Sequence, residues 1–405
     1  MRRAFAPLRV RNYRLYFTGQ TISLTGTWFV LVATGWLVLS LSHSGAVLGA
    51  LMAAELLPSL LLGAYAGVIA DRVNKRALIL ADNALAAVLS ALLAFACLTG
   101  AVTLWMVFAF GITLGVTAAF AQPAQQAFVS ELVGDEQLTE AITLNSVMGS
   151  VARIVGPAGA GLLIVGVGVG ACFALNALSY VAVFASLARM RSAALTVSER
   201  TVREPGQLRE GLRHVRSRSD LLWPLVMMAL VGAFAYEFAV TLPLMAKALH
   251  GSASTYGVMT AAMGAGSVAA GLLINHRLGV GLRSLRWLSL AFGAGIGLAA
   301  LAPSVPAELG ALVLVGAAST AFMATTTASL QLAAGPRFRG RVMALSWVAN
   351  AGSTPVGAPV VGGLAALAGA RAGLLLGAVA CALSAVIGFV AYRRAPLDTA
   401  AAAAD

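Results

Sequence analysis

Charge is the scarcest property of this chain. Of its 405 residues, 10% are charged, whereas an ordinary soluble protein has roughly 25%. Hydrophobic residues make up 60% of the chain, and the mean hydropathy is +0.88. This composition excludes a soluble globular enzyme and a disordered chain, because too little polar surface exists to cover a soluble fold of this size.

Lysine, cysteine and histidine are also rare, and their scarcity argues against several kinds of site. The only lysines are Lys75 and Lys247, and neither precedes Ser or Thr, so the chain has no Walker A phosphate-binding loop. It also has neither an HExxH sequence nor a GxSxG nucleophile elbow. With three scattered Cys and four His, we predict no disulfide framework, no metal site and no cofactor. The sequence therefore predicts that the chain is not an enzyme and does not hydrolyse ATP by itself.

Long apolar runs are what the chain has in abundance. A helix needs about 20 apolar residues to cross a bilayer, and twelve such runs lie between charged residues and Pro or Gly breaks. The first run follows a basic N-terminus but is too long for a signal peptide and has no small-residue cleavage site, so we interpret it as a retained span. The predicted spans cover residues 16–41, 46–70, 78–98, 104–129, 141–165, 170–189, 222–246, 253–275, 284–302, 307–333, 342–367 and 370–391.

The basic residues are distributed by membrane side. Apart from Lys247, Arg371 and Arg153, all Lys and Arg residues fall in the N-terminal arm, in the connections after even-numbered spans or within one turn of them, or in the C-terminal tail. Because basic residues collect on the cytoplasmic side, both termini are predicted to be cytoplasmic. The net charge of +12 then reflects topology, and we predict no nucleic-acid partner. The bias toward Ala, Gly and Arg favours a bacterial source, and hence the cytoplasmic (inner) membrane of a bacterium as the location.

A polar stretch divides the spans into two sets of six. We expect an N-terminal six-helix bundle over 1–189, a cytoplasmic linker over 190–221, and a C-terminal six-helix bundle with a short tail over 222–405. Residues 207–219 carry apolar side chains at helical spacing among arginines. This pattern fits either an amphipathic helix on the membrane surface or a plain solvated linker.

The two halves repeat weakly. Internal duplication of this kind is typical of secondary transporters, whose substrate site lies near the membrane midplane between the repeats. The sequence therefore predicts an all-α membrane protein with twelve transmembrane helices in two pseudo-symmetric six-helix bundles. The aligned glycines, at a constant offset of 201 residues, are Gly134, Gly156 and Gly161 in the first half and Gly335, Gly357 and Gly362 in the second.

The connection between spans 2 and 3 carries a compact charged motif. Its glycines are expected to let span 2 pack closely on a neighbouring helix. Its aspartate can pair with a nearby base or lie at the positive N-terminal end of a facing helix. Such a pair would hold the two halves together on the inner side and break as they rock, whereas the alternative is an ordinary basic loop. The motif residues are Gly63, Gly67, Asp71, Arg72, Lys75 and Arg76.

This GxxxDRxxKR motif, between the second and third of twelve spans, resembles that of the major facilitator superfamily. Two further segments, LRVRNYRLYFTGQTISLTGTW near the start and RGRVMALSWVANAGSTPVGAPVVGG near the end, are similar to its enterobactin-exporter and macrolide-efflux branch. The similarity covers nearly the whole chain. It implies proton-driven export of small molecules from the cytoplasm by a monomer.

Span 5 contains a second motif, Arg153-Ile-Val-Gly156-Pro157-Ala-Gly-Ala160-Gly161. It resembles the GPxxGG motif that antiporters of the superfamily carry in this helix, with Ala160 in place of the first Gly of the final pair. The alternative is a packing kink, because proline removes a helix hydrogen bond and glycines allow close approach. Arg153 is expected to pair with an acidic residue of spans 2 or 3, or to extend to the inner membrane surface.

Three acidic residues in the spans are candidates for proton coupling. They are Glu237 in span 7, Glu55 in span 2 and Asp82 in span 3. A charged side chain at the bilayer centre costs roughly 2.5–3.5 kcal/mol on insertion scales, so such residues usually have a function. We predict a proton or cationic-substrate site at one or more of them; the alternative for each is a structural acid that bonds to a neighbouring helix.

Polar and aromatic side chains within the spans are candidates for the wall of a substrate cavity. Binding cavities combine apolar walls with a few such groups, but each group can equally be a helix–helix hydrogen bond or a filler. The candidates are Gln20, Trp28, Trp36, Gln122, Gln126, Tyr236, Trp347 and Asn350.

The favoured interpretation is a secondary active transporter in the lipid bilayer. It would export a small amphipathic molecule, such as a drug or siderophore, in exchange for protons, by rocker-switch alternating access. The first alternative is an importer or uniporter of a small nutrient, which the scarcity of midplane hydrogen-bonding groups disfavours. The second is a receptor or scaffold, which the lack of any sizeable soluble domain disfavours.

Overall fold

The structure of the chain is a computed structural model. It describes residues 5–134, 137–190, 207–273 and 278–401. Within these ranges, the side chains at positions 64, 67, 68, 70–72, 130, 207–209, 336, 337 and 394–401 are not described.

The described residues form α-helices joined by short connections. An α-helix satisfies its backbone N–H and C=O groups internally, which a bilayer requires of any segment that crosses it. The helices are α1 (Arg11–Ser42), α2 (Gly45–Arg72), α3 (Lys75–Leu98), α4 (Leu104–Val133), α5 (Leu138–Gly166), α6 (Val169–Ala188), α7 (Gln207–Arg216), α8 (Ser219–Phe234), α9 (Phe238–Ala248), α10 (Ala253–Leu273), α11 (Leu282–Leu301), α12 (Val305–Asn350), α13 (Thr354–Ala368) and α14 (Ala370–Ala401).

Twelve helical segments in this part of the chain are long and apolar enough to cross a membrane. Helices α1–α6, α10, α11 and α14 each supply one span. Span 7 (Ser219–Ala248) combines α8 and α9. Helix α12 contributes to two spans, because it bends at Gly335. Its first part is span 10 (Val305–Gly335), and its second part forms span 11 together with α13 (Phe338–Ala368). The predicted all-α fold with twelve transmembrane helices is therefore confirmed.

The contacts divide the chain into two compact units. The first comprises Met1–His43, Ala54–Val202 and Ser252–Ala261, and the second comprises Ser44–Ala53, Arg203–Gly251 and Ala262–Asp405. In the first unit, α1 packs on α5 and α6, and α3 packs on α4 and α6. In the second, α8 packs on α13 and α14, and α11 packs on α12 and α14. The same pairs of spans thus pack together in each unit, six positions apart in span order, as an internal repeat requires.

The aligned glycines occupy equivalent positions in this packing. A Cβ atom added to Gly156 of span 5 would lie 2.5 Å from the Trp28 Cβ of span 1. A Cβ atom added to Gly357 of span 11 would lie 1.6 Å from the Ala233 carbonyl oxygen of span 7. In both units, therefore, a glycine lets the fifth span approach the first span closely.

A second pair of aligned glycines follows the same rule. A Cβ atom on Gly161 would lie 2.8 Å from the Ala253 oxygen in span 8, and one on Gly362 would lie 2.3 Å from the Gly45 oxygen in span 2. The third pair ends a helix in each half: Gly134 and Gly335 have φ of 68° and 65°. Glycine adopts this left-handed backbone without the penalty that a Cβ imposes.

Helix α7 lies in the polar linker and packs on α12. Its Glu210 forms a salt bridge with Arg341 at 2.6 Å, and the His214 ring stacks on Phe338 with 3.9 Å between the centroids. These contacts attach the end of the linker to the connection between spans 10 and 11. The preceding residues, 191–206, lie outside the described part of the chain.

Candidate functional site

Span 7 is interrupted at Glu237. Helix α8 ends at Phe234 and α9 begins at Phe238. Between them the Phe238 amide donates to the Tyr236 carbonyl oxygen at 2.8 Å, which makes a tight turn. The helix resumes where the Thr241 amide donates to the backbone carbonyl oxygen of Glu237 at 3.0 Å. The apolar run predicts a continuous helix here, and no proline marks the break. Glu237 therefore lies at the N-terminal end of a half-helix rather than on the face of an intact one.

Span 11 is interrupted in the same way. Helix α12 ends at Asn350, a 3-10 turn covers Ala351–Ser353, and α13 begins at Thr354. This break has a sequence cause, because Pro355 has no N–H group to donate to the Ala351 carbonyl oxygen one turn earlier, and it occupies the first turn of α13 instead. The Ser353 hydroxyl donates to the Asn350 carbonyl oxygen at 2.7 Å, which satisfies one of the acceptors that the end of α12 leaves free.

The two breaks pack against each other within the second unit. A Cβ atom added to Gly232 would lie 2.8 Å from the Asn350 carbonyl oxygen, and one added to Gly377 would lie 2.9 Å from the Phe234 oxygen. Together with Gly357, these glycines leave the end of α8 in direct backbone contact with its neighbours. We call the region formed by the two interruptions, 235–237 and 351–353, the double break.

Glu237 is buried in the double break, with 4% of its surface exposed. The Thr354 side chain lies within hydrogen-bonding reach of its carboxyl group, but its Oε1 atom has no partner among the described residues. Asn350, at the other interruption, also buries its Oδ1 atom without a described partner. Buried polar atoms are nearly always hydrogen-bonded, so these oxygens are free to accept a proton, a cation or a donor group of a ligand.

Tyr236 and Phe238 hold the break in place. The Tyr236 hydroxyl donates to the Ser319 carbonyl oxygen of span 10 at 2.8 Å. The rings of Tyr236 and Phe238 both contact Phe292 of α11, with centroid distances of 5.3 and 6.2 Å. Tyr236 is a predicted cavity residue, but the structure uses its hydroxyl to anchor the turn to span 10.

The other two predicted coupling acids lie in the first unit and have neighbours on α4. Glu55 is half-buried against α4, where a Cβ atom on Gly111 would lie 2.7 Å from its Oε1 atom and one on Gly115 would lie 2.0 Å from its carbonyl oxygen. Asp82 is half-buried, with the Thr117 side chain within hydrogen-bonding reach. Neither residue lies at a helix break, unlike Glu237.

A fourth acid, Glu308, is missing from the predicted set. It lies in the first turn of α12 with no exposed surface, and neither carboxyl oxygen has a described hydrogen-bond partner. Arg371, which donates to the Ala302 carbonyl oxygen at 3.1 Å, is close enough to interact with Glu308 electrostatically. Glu308 is the second residue of the predicted span 307–333, and an acid at the edge of a span is expected in a solvent-exposed loop. The packing of the helices buries it instead.

The motif between spans 2 and 3 fixes helix ends in the first unit. Lys75, at the start of α3, pairs with Glu131 near the end of α4, with 2.5 Å between the Nζ and Oε1 atoms. Arg76 donates to the Leu187 carbonyl oxygen at 2.7 Å and to the Ala188 oxygen at 3.0 Å. A cation at these carbonyls is favourable because the C-terminal end of a helix carries partial negative charge. Sequence reasoning missed Glu131 because it lies about 55 residues beyond the motif.

The rest of this motif is only partly described. The backbone at Gly67, Asp71 and Arg72 belongs to α2, but the side-chain positions there lie outside the described residues. The expectation of close packing at Gly63 is wrong, since a Cβ atom there would meet no described atom within 4 Å.

Breaking the Lys75–Glu131 pair should destabilise the first unit. The two side chains are 15% and 12% exposed, so loss of one partner leaves a largely buried charge. We expect Lys75→Met or Glu131→Gln to cost about 1–3 kcal/mol, and the double variant to cost less than the sum of the two. Thermal unfolding in detergent measures this loss of stability.

The exposed Arg218–Asp220 pair is the matched control, and its loss should change stability by under about 1 kcal/mol. Additive effects of the two Lys75–Glu131 variants would contradict a direct interaction.

The span 5 motif packs against spans 1 and 8 of the same unit. Trp28 lies against Gly156, and the Pro157 carbonyl oxygen would be 2.3 Å from a Cβ atom on Gly257 of α10. Pro157 and Gly161 are buried. Gly156 and Gly161 therefore lie at close helix contacts.

Arg153 does not have the expected acidic partner. It is exposed on α5 and forms no salt bridge with Glu55, Asp82 or any other described residue. The remaining expectation for this side chain, extension toward the membrane surface, is consistent with its exposure.

The remaining predicted cavity residues differ in their surroundings. Gln20 lies within hydrogen-bonding reach of the Tyr16 hydroxyl one turn away, which is a local contact. Trp36 is half-buried in α1, and Trp28 contacts Gly156 as described. Three further side chains are exposed: Gln122, Gln126 and Trp347. Of the eight candidates, Tyr236 lies within the double break and Asn350 directly precedes its second interruption.

Known proteins resemble this chain in both sequence and fold. It is 26% identical over 152 residues to the staphyloferrin A transporter of Staphylococcus aureus, covering 37% of this chain and 38% of that one. It is 27% identical over 162 residues to the uncharacterized MFS-type transporter YfiS of Bacillus subtilis, covering 39% and 37%. These matches span less than two fifths of either curated relative.

Solved structures share the fold over nearly the whole length. A bacterial homologue of the human lysosomal transporter Spinster, in an inward-facing and unoccupied conformation, superposes with a TM-score of 0.76 at 15% identity, covering 96% of this chain and 98% of that one. An inward-facing bacterial homologue of the iron transporter ferroportin gives a TM-score of 0.73 at 15% identity, covering 95% and 98%.

One family model covers almost every residue of the chain. The model describes a transmembrane secretion effector and matches residues 2–404. Twelve spans, the repeated packing and the shared fold agree with that match, and this fold and family indicate a transport protein rather than an enzyme. The chain belongs to the transmembrane secretion effector family of major facilitator superfamily transporters.

Proposed function

We propose that this protein is a proton-coupled exporter of a small amphipathic molecule, located in the inner membrane of a bacterium with both termini in the cytoplasm. The observation that carries the proposal is Glu237, a buried carboxyl group with a free oxygen at a helix break inside a membrane span. The basic residues of the loops support the orientation, and the resemblance to the superfamily implies a monomer.

Glu237 is suited to exchanging a proton. An ionised carboxylate is costly inside a membrane unless it is paired or hydrated, whereas the protonated form is neutral. The Thr354 hydroxyl can donate to the ionised form or accept from the protonated form. Discontinuous spans in secondary transporters supply ion and substrate sites at the exposed ends of their half-helices. Loss and gain of a proton at Glu237 would therefore change the stability of the double break.

The comparisons support export and the proposed class of substrate. The family is described as secretion effectors, which favours outward transport. The staphyloferrin A transporter handles a siderophore, and a siderophore or a lipophilic drug is a small molecule of amphipathic character. Nutrient import or uniport is the alternative, and it predicts no proton movement out of everted vesicles.

Substrate-induced proton movement in everted membrane vesicles tests the proposal. A respiration-driven proton gradient is reported by a pH-sensitive dye, and siderophores and lipophilic drugs are added one at a time. We expect at least one compound to dissipate the gradient in vesicles that contain the protein and not in vesicles from cells without it. If well-expressed protein takes up a compound into right-side-out vesicles without a gradient, and no compound moves protons, the exporter proposal is wrong.

A further inference from the structure

Arginines and aromatic rings from α11 and α14 form a group at one end of spans 9 and 12. The start of α11 and the end of α14 lie side by side there, because a Cβ atom on Gly388 would be 3.0 Å from the Arg286 Cβ. We call this group the Arg286 cluster, and its members are Arg283, Arg286, Trp287, Phe389, Tyr392 and Arg393.

The rings hold the Arg286 guanidinium group. Its Cζ atom lies 4.1 Å from the Tyr392 ring centroid, 4.6 Å from that of Phe389 and 6.0 Å from that of Trp287. The Trp287 and Phe389 rings meet edge to face at 5.1 Å. A guanidinium group on aromatic faces is attracted to the rings and fixed in orientation. Its Nε atom is buried and has no hydrogen-bond partner among the described residues.

No carboxylate neutralises this cluster in the described structure. Neither α11 nor α14 up to Arg393 contains an acidic residue. The acid on the adjoining helix α8 is Asp220, which already pairs with Arg218 at 2.5 Å. Arg283 and Arg393 are exposed beside Arg286. Among the described residues, the cluster is therefore a positive site without a carboxylate partner.

The cluster also lies at the depth of lipid headgroups. Farther along the same helices, Leu290 and Val386 are 41% and 58% exposed, as expected for residues that face hydrocarbon. Trp287 and Tyr392 are 55% and 38% exposed at the helix ends. Tryptophan and tyrosine prefer this boundary between hydrocarbon and headgroups. The loop charges predict that this end faces the cytoplasm, where anionic lipids attract basic residues.

We propose that the Arg286 cluster binds the phosphate headgroup of an anionic phospholipid in the adjacent leaflet. The guanidinium group matches phosphate oxygens in a two-pronged geometry that lysine cannot reproduce. Arg283 and Arg393 add charge at the rim, and the exposed rings lie along the upper part of the acyl chains. The bound lipid would fasten the ends of α11 and α14 together. This inference is independent of the transported substrate and of proton coupling.

Native mass spectrometry of the purified full chain with added lipid tests this inference. Phosphatidylglycerol, phosphatidylcholine and inorganic phosphate are compared as probes. We expect wild-type protein to retain one phosphatidylglycerol molecule in preference to phosphatidylcholine, and inorganic phosphate at the same concentration to add no stability in thermal unfolding. Arg286→Gln should weaken phosphatidylglycerol retention about tenfold, as expected for loss of a charge-assisted hydrogen bond.

Two further variants separate lipid binding from folding and from general charge. Arg286→Lys keeps the charge and should retain the protein fold, yet lose most of the headgroup preference. Arg189→Gln removes an exposed arginine at the end of α6, the repeat counterpart of α14, and should leave retention unchanged. Equal retention in wild type and Arg286→Gln, equal loss in Arg189→Gln, or protection by inorganic phosphate alone would each overturn the inference.

Discussion

Replacing Glu237 by Gln is expected to abolish substrate-induced proton movement in everted vesicles while the protein still folds. Glutamine has nearly the same volume and can still bond to the Thr354 side chain, but it cannot release a proton. The signal should fall to that of vesicles without the protein. The melting temperature in detergent should stay close to that of wild type, because the variant removes a buried carboxyl group with an unpartnered oxygen.

Glu308→Gln is the matched control for this prediction. Glu308 is also fully buried in the second unit and has unpartnered oxygens, but it lies in the first turn of α12 and outside the double break. Its variant should keep substrate-induced proton movement. Thr354→Val should give an intermediate result, because it removes a hydroxyl group within hydrogen-bonding reach of the Glu237 carboxyl group. Full coupling in Glu237→Gln would assign Glu237 a structural role, and the proton site would have to be sought at Glu55 or Asp82.

Gly357→Ala is expected to destabilise the second unit strongly. The added Cβ would lie 1.6 Å from the Ala233 carbonyl oxygen. No rotation of a side chain relieves this contact, because a Cβ atom is fixed by its own backbone and the carbonyl oxygen belongs to the backbone of α8. Span 11 would have to move away from span 7 and disturb the double break. We expect a loss of at least about 1–3 kcal/mol, as overpacked cores show, together with loss of transport. Thermal unfolding and the amount of folded protein recovered from membranes measure the effect.

Gly363→Ala, on the same helix, should act in the opposite direction. A Cβ atom at Gly363 would meet no described atom within 4 Å, and alanine is a better helix former than glycine by about 0.8–1.0 kcal/mol. The control variant should therefore be neutral or slightly stabilising. If both variants behaved alike, the close approach of α8 and α13 would be refuted, and helix propensity alone would explain the glycines.

The number and type of helices could be predicted because they depend on local composition. Each span is an apolar run of sufficient length. In a bilayer, a single such run can satisfy its backbone hydrogen bonds only by forming a helix. The repeat could also be predicted, because glycines at helix crossings and at helix ends are constrained in both halves. Gly156 and Gly357 lie at crossings, and Gly134 and Gly335 both adopt left-handed backbone at the end of a helix.

The candidate site could be predicted only in part. The presence of an acid in an apolar run identifies Glu237, and Pro355 explains the end of the helix before α13. No local signal predicts the break beside Glu237, because it depends on the Tyr236 hydroxyl bond to Ser319 and on the ring contacts with Phe292. Those partners lie 83 and 56 residues away along the chain.

Sequence alone thus determined that this chain is a twelve-span membrane protein with an internal repeat, a preferred orientation and a few acids at depth. These properties follow from hydropathy and charge, which act residue by residue against water and lipid. Only the tertiary structure decided which polar groups meet. It brought Thr354 to Glu237, gave Lys75 the partner Glu131, buried Glu308 and left Gly63 unpacked. These contacts depend on helix packing, because the close approach of two backbones requires glycines and aromatic side chains from distant parts of the chain.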